Sequence, residues 1–317
     1  MLRKLALAAP LAAIVIATPA WAQSSVSIYG RLNVTVERVR FNDGDSQGVV
    51  NDNSSRIGFK GTEDLGGGLK AGFQIEHGFD ATDGKAKATF WGRQSEVNLT
   101  GAFGTVRLGA WTPDSYFATS DYIGMHNHET GDSADAFYVS AFAYKNKVGY
   151  VTPNLSGFQG YVAVAESDPA NGVDDKNYDL AAYYDHGPLH LGAGFEKQGD
   201  LKQASIRGLY EAGPITVGLL FQRNADFQRL GRGYRNYFRV SSMYVLGRSE
   251  FHVNVGAAGE YANIDKSDAL QMTLGYNYNL SKRTKVYGYY TRIDRDDVLK
   301  VYGGNFDALA LGVRHNF

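Results

Sequence analysis

VSIYGRLNVTV, residues 26–36 of this 317-residue chain, alternates apolar side chains with polar ones. Its even positions hold valine, isoleucine, leucine or glycine, and its odd positions hold mainly serine, arginine, asparagine and threonine. Successive side chains of a β-strand point to opposite faces, so this period of two predicts a strand with one apolar and one polar face. The alternation recurs at residues 56–60, 69–76, 270–278 and 309–314, with no amphipathic helix between the segments. Recurrence from end to end predicts a large closed β-barrel.

The connections between these segments alternate between short turns and long polar loops. The short turns lie at residues 64–68, 101–104, 152–157, 186–188, 212–213, 247–249 and 281–283. The longer loops lie at residues 42–53, 80–88, 113–137, 167–176, 224–236, 261–267 and 294–305, with a shorter one at 198–202. Short turns at one end and long loops at the other are typical of outer-membrane barrels.

The strands between these connections number 16. An even count suits a bacterial barrel, and a barrel of this size leaves an aqueous lumen. We therefore expect an all-β fold, a 16-stranded antiparallel transmembrane β-barrel. The alternative is a soluble β-sandwich, which would keep its polar face outside and would not alternate its loop lengths so regularly.

The first 22 residues have the pattern of a cleaved export signal. Arg3 and Lys4 form a cationic start, an apolar stretch follows, and Ala20-Trp21-Ala22 offers small residues for cleavage. The apolar stretch is too short for a transmembrane helix, which needs roughly 20 residues. We expect a signal peptide over 1–22 and a barrel domain over 23–317.

Composition excludes several classes of function. Of the 32 basic side chains, Arg3 and Lys4 leave with the expected signal peptide, so 30 remain against 33 acidic ones. This slightly acidic balance argues against a partner nucleic acid. The chain has no cysteine, which excludes thiol and disulfide chemistry. No cofactor or metal is expected, because His126 and His128 lack a fixed ligand spacing.

Six short strings, in order and at matching spacing, resemble one known family. They are VSIYGR (26–31), SSRIGFKG (54–61), Arg93-Gln94, GTVRLG (104–109), YNLSKRT (278–284) and GVRHNF (312–317). Over its whole mature length the chain resembles the Gram-negative trimeric general porins, most closely those of β-proteobacteria.

The resemblance implies a homotrimer of barrels in the cell outer membrane, each a passive channel for small hydrophilic solutes and ions. The third long loop, residues 113–137, would fold inward and narrow the pore. Outer-membrane lipids and lipopolysaccharide would surround the barrel. Phe317, at the end of the last strand, would be read by the outer-membrane assembly machinery as an assembly signal.

The resemblance also implies where the pore is charged. Arg31, Arg56 and Arg93 match the basic wall of the family's constriction, and Lys60 lies one lumen-facing step beyond Arg56. Guanidinium groups stay charged and repel one another, so a cluster of them is expected to face water and an acidic loop.

The acidic side of the constriction is expected in the inward loop. Enteric relatives carry the string Pro-Glu-Phe-Gly-Gly-Asp there, whereas residues 128–132 read HETGD and keep only an acid pair, Glu129 and Asp132. Asp121 is a third candidate.

One strand conflicts with a simple barrel. If Arg93 points into the lumen, then Gln94, Glu96 and Asn98 point outward, where a charge against lipid costs several kcal/mol. Either a bulge shifts the register, or this strand faces another protein chain, and we favour the second interpretation.

Two other functions remain open. A substrate-specific porin would bind a preferred sugar, phosphate or carboxylate at its constriction. A barrel enzyme such as a lipase would need a nucleophile, a histidine and an acid at one strand end. His77, His190 and His252 lie in strands but have no recognisable serine partner in the sequence, so we expect no enzyme.

Overall fold

A computed structural model describes residues 25–42, 44–121, 123, 136–140, 145–167, 174–225, 231, 233–295 and 304–317. Its strands are β1 Ser25–Phe41, β2 Gln47–Asp52, β3 Arg56–Gly66, β4 Leu69–Gly78, β5 Gln94–Gly101, β6 Gly104–Trp111, β7 Lys147–Val151, β8 Phe158–Ala165, β9 Asn177–His186, β10 Leu189–Gln198, β11 Leu201–Ala212, β12 Ile215–Ala225, β13 Tyr234–Leu246, β14 Ser249–Ala258, β15 Ala269–Asn279, β16 Thr284–Arg295 and β17 Phe306–Asn316. Between β6 and β7 lie a helical turn, α1 Asp114–Tyr116, and a π-helical turn, Phe117–Asp121. The expected signal peptide lies outside the described residues.

Seventeen segments form a barrel of 16 strands, because β2 and β3 are two parts of one strand. Both pair with β1, β2 against its second half and β3 against its first half. The break between them contains Ser54 in a left-handed conformation, with φ of 62°. The last strand, β17, pairs with β1 from Arg31–Asn316 to Phe41–Phe306 and closes the barrel. The predicted 16-stranded antiparallel barrel is confirmed.

The two faces of the barrel follow the alternation in the sequence. On β1, Val26, Ile28 and Val36 are more than 60% exposed on the outer wall, whereas Asn33 and Thr35 are almost fully buried on the inner wall. An apolar exterior is what a strand facing lipid requires. Among the described residues, no helix has the length and apolar character needed to cross a membrane.

The predicted outward position of Gln94, Glu96 and Asn98 is wrong. The side chain of Glu96 forms an ion pair with Arg107 on the inner face of β6, at 2.7 Å, and Val97 is 53% exposed on the outer wall. Arg93 lies just before β5, and its side chain also turns inward. The side chains of Arg93 and of β5 therefore do not follow one continuous alternation. The first interpretation, a shift of register, is the correct one.

The long connection between β6 and β7 folds into the barrel, as predicted. In its described part, Asp114 and Ser115 donate their backbone N–H groups to the carboxylate of Asp179 on β9, at 2.6 and 3.0 Å. Farther along, Ile123 and Phe137 join an apolar cluster with inner-wall residues. The loop is therefore held against the wall formed by β9 to β12, opposite β1 and β3.

Candidate functional site

Three arginines lie close together on the inner wall, and two of them contact one carboxylate. Arg31 and Arg56 lie directly opposite each other in the ladder between β1 and β3. Arg93 places its Nε 2.6 Å from Oε1 of Glu76 on β4, and the Nε of Arg56 lies 3.6 Å from the same oxygen. The structure thus brings together the three predicted arginines, and it adds Glu76, which the sequence reasoning missed.

Two more cations extend this wall across the closing strands. Arg314 on β17 and Lys285 on β16 face the lumen and lie opposite each other in the ladder. Arg314 acts electrostatically on Arg31 and Arg56. We define the basic wall as Lys285, Arg314, Arg31, Arg56 and Arg93.

Ion pairs and hydrogen bonds join the basic wall to neighbouring side chains. Lys285 Nζ lies 3.7 Å from Oε2 of Glu250 on β14. Arg31 donates from Nε to Oδ1 of Asn316, a neutral partner, at 3.0 Å. Glu250 and Glu76 both form ion pairs with the wall.

Lys60 does not belong to this cluster. It lies on the same inner face of β3, but four residues from Arg56, about 13 Å along the strand. Its Nζ lies 5.3 Å from the centre of the Tyr29 ring, a cation–π distance. The predicted basic group therefore divides into a cluster of three arginines and a separate lysine nearer the short-turn end.

Of the predicted loop acids, Asp121 is the one that the structure describes. It ends the π-helical turn and acts electrostatically on Arg31 and Arg56 across the lumen. Glu129 and Asp132 lie outside the described residues.

The inward loop packs closely against β10, because glycine occupies the positions of β10 that the loop contacts. A Cβ built on Gly192 of β10 would lie 2.0 Å from the backbone oxygen of Ala118, and one on Gly194 would lie 2.9 Å from Ser115. Arg207 then donates from Nε to the same oxygen of Ala118, at 2.7 Å. These contacts fix how far the loop projects into the lumen.

A network of buried charged side chains holds the first residues of the inward loop in place. Arg107 pairs with both Glu96 and Asp114, at 2.7 and 3.1 Å. Lys147 Nζ lies 3.7 Å from Asp179, and both side chains are fully buried. Burial raises the pKa of the Asp114 carboxyl, against the opposing effect of Arg107. Because one acid and one base face each other at each contact, removing a single partner would leave a buried charge uncompensated.

The missed residues Glu76 and Arg314 follow the lumen-facing parity, as Arg31 and Arg56 do. Glu76 alternates with Leu69–Ile75, and Arg314 alternates with Leu309, Leu311 and Val313. The signal for an inner-wall position was therefore present. What the sequence does not contain is the register that brings Glu76 beside Arg56 and Arg93.

The arrangement can sort charged solutes without any chemical step. A basic wall on one side and an acid-bearing loop on the other create a transverse field across the lumen. Such a field acts on every ion that passes, and it needs no bond to be made or broken.

Comparisons with known proteins agree with this geometry. The model of the Gram-negative porin family matches residues 6–298. The chain is 33% identical to outer membrane porin protein 32 of Delftia acidovorans, over 97% of this chain and 98% of that protein. The structure of an anion-selective porin from Comamonas acidovorans aligns with a TM-score of 0.78 and 28% identity, over 93% of this chain and all of that one. A structure of OmpT from Vibrio cholerae in its trimer form aligns with a TM-score of 0.68 over 93% of this chain and 99% of that one; at 16% identity it shows the fold alone.

Proposed function

The chain belongs to the Gram-negative porin family and forms an outer-membrane diffusion channel; on this premise we propose that its basic wall gives the channel a preference for small anions. Solutes pass down their gradients between the basic wall and the inward loop. Arg31, Arg56 and Arg93 are the central residues of this constriction, Asp121, Glu129 and Asp132 form its acidic side, and Lys60 adds a cation nearer the short-turn end.

One observation carries this proposal, the concentration of cations on one wall. Arg31 lies close enough to Arg56, Arg93 and Arg314 for these cations to act on it, and Lys285 lies opposite Arg314. An excess of positive charge in a narrow aqueous passage raises the local concentration of anions. The similarity to a porin described as anion-selective supports the same direction.

The test is the zero-current potential of the purified protein in a planar bilayer under a KCl gradient. We expect a potential whose sign reports higher permeability for chloride than for potassium. A cation-preferring potential would contradict the proposal. Conductance that saturates, or that one sugar or phosphate ester blocks, would instead favour the substrate-specific alternative.

We further propose that the channel is a homotrimer. The support is the resemblance of the sequence to the trimeric general porins. Glu96 and its neighbours add no support, because they face the lumen rather than a partner. On unboiled gels the protein should migrate near three times the monomer mass and shift to the monomer position on boiling. A monomer in mild detergent, measured by light scattering, would contradict this.

The remaining proposals concern export and assembly. We propose that residues 1–22 are removed, so that the protein extracted from the outer membrane begins at Gln23; N-terminal sequencing tests this. We propose that Phe317 is read by the assembly machinery and that lipopolysaccharide surrounds the folded barrel. The residues of the constriction act through their charge, and we propose no catalytic role for them.

A further inference from the structure

Three cations face outward at the long-loop end of β10, β11 and β12. Lys197 and Lys202 lie directly opposite each other in the ladder between β10 and β11. Arg223 on β12 lies opposite Ala204, two residues from Lys202. Neighbouring strands are about 4.8 Å apart and a two-residue step is about 7 Å, so the three positions form one patch. All three side chains are exposed.

The three cations of this patch form no ion pair with the residues that the structure describes. Arg223 instead stacks on the ring of Tyr234, 3.9 Å from its centre, and donates to Asn236. Like charges directly opposite in a ladder are destabilising unless something neutralises them.

Two other outward arginines at this end are neutralised by the protein itself. Arg40 Nη2 lies 2.6 Å from Oδ1 of Asp307, and Arg292 Nη2 lies 2.8 Å from Oδ1 of Asp294. The patch on β10 to β12 instead places three cations side by side, and this concentration of positive charge suits an anionic ligand.

An apolar groove of about 400 Å³ adjoins the patch on the outer wall. Ala182, Ala193 and Ala204 form its floor, because small side chains in adjacent strands leave a depression. Larger apolar side chains border it, namely Leu180, Phe195, Ile206 and Phe221. Ala204 lies beside both Lys202 and Arg223, so the groove and the patch are continuous.

We propose that the patch and groove together bind lipid A, the phosphorylated and acylated anchor of lipopolysaccharide. The three cations contact its phosphate groups, and the groove receives an acyl chain. This inference rests on the outer-membrane placement and deepens the proposed contact with lipopolysaccharide.

The position along the barrel selects this occupant. The patch lies at the end of the long connections, whereas Gly187-Pro188 and Gly213-Pro214 make tight turns at the other end. Long loops mark the extracellular side, where the outer leaflet carries lipid A. A soluble phosphate would use the cations but not the groove. A second copy of the chain would have to bury three unpaired cations.

The experiment measures binding of purified bis-phosphorylated, hexa-acylated lipid A to the full mature protein in detergent, by native mass spectrometry. The test variant is K197Q/K202Q/R223Q. The matched control is R38Q/R40Q/R292Q, which removes the same number of charges from the same end of the outer wall. A second variant, A204F, fills the groove and leaves all charges in place.

Each cation near an anionic lipid surface contributes about fivefold in affinity, so the triple variant should bind about 100-fold more weakly. The control should stay within about threefold of the unmodified protein. A204F should also weaken binding, and lipid A without its phosphates should not compete.

Three results would overturn the proposal. They are unchanged binding by the triple variant, an equal loss in the control, and binding of phosphatidylglycerol as tight as that of lipid A. Bilayer conductance of the same preparations separates the two proposals. Normal conductance with unchanged lipid A binding by the triple variant refutes the lipid site alone, whereas absent conductance in the unmodified protein refutes the channel.

Discussion

The charge of the basic wall can be tested by replacing Arg31, Arg56 and Arg93 with glutamine. The exchange leaves a polar amide at each position and removes three positive charges, two of which are paired with Glu76. Lys285 and Arg314 remain. Glu76 is left without its ion pairs, so the centre of the wall changes from basic to acidic. We expect the preference for anions to fall.

The size of the effect follows from distance and screening. An ion that passes about 8 Å from one guanidinium in water gains or loses about 0.5 kcal/mol. At about 0.1 M salt, where the Debye length is about 10 Å, screening reduces this to roughly 0.2 kcal/mol. One charge then changes the ratio of anions to cations about twofold, because the two ions respond in opposite directions. Three charges together change the ratio about tenfold.

The assay is the zero-current potential across a tenfold KCl gradient, repeated at high salt. Near 1 M the Debye length is about 3 Å, so the difference between variant and unmodified protein should disappear. R38Q/R40Q/R292Q serves as the control, because it removes three charges from the outer wall. A triple lumen variant with an unchanged low-salt potential would refute the placement of the wall in the constriction. So would a shift that persists at 1 M.

Four further predictions concern single features of the pore and of the junction between β1 and β17. Glu76→Gln should raise the anion preference about twofold at low salt, measured by the same potential. Exchange of Glu129 and Asp132 for glutamine and asparagine should also raise it, and no change would remove these acids from the constriction. Gly30→Ala should destabilise the barrel by about 1–3 kcal/mol, because its Cβ would lie 2.5 Å from the backbone oxygen of the opposing strand; heat-induced unfolding on gels measures this. Deletion of Phe317 should lower the assembled protein in outer-membrane fractions, and a normal yield would contradict the terminal signal.

The alternation of side chains was enough to predict the barrel. Each strand of a transmembrane barrel has lipid on one side and water on the other, so the period of two persists over the whole chain. The family resemblance is confirmed by the match to the Gram-negative porin family. The split of one strand into β2 and β3 was not predictable, because it depends on the left-handed backbone at Ser54.

Alternation does not predict the direction of side chains where the backbone is irregular. Parity carries over from one residue to the next only inside a continuous strand, and Arg93 lies just outside β5. Its backbone N–H still donates to the oxygen of Glu76, at 3.3 Å, so the segment follows the wall without keeping the phase of the strand. The inference that Glu96 faces a partner chain rested on that phase.

The basic wall also depends on closure of the barrel. Arg31 lies on the first strand and Arg314 on the last, and the two come together only because β17 pairs with β1. The contacts that hold the junction between β1 and β17 lie next to Arg31. Phe317 and Gly30 exchange two backbone hydrogen bonds, each 3.1 Å. The ring of Phe317 also covers the position that a Cβ on Gly30 would occupy. Like charges repel, so the basic wall opposes closure of the barrel, while Glu76 and the contacts between Phe317 and Gly30 favour it. Charge selectivity is thus a property of the closed barrel alone, and a change at Gly30 or Phe317 should reduce the number of channels without altering the preference of those that form.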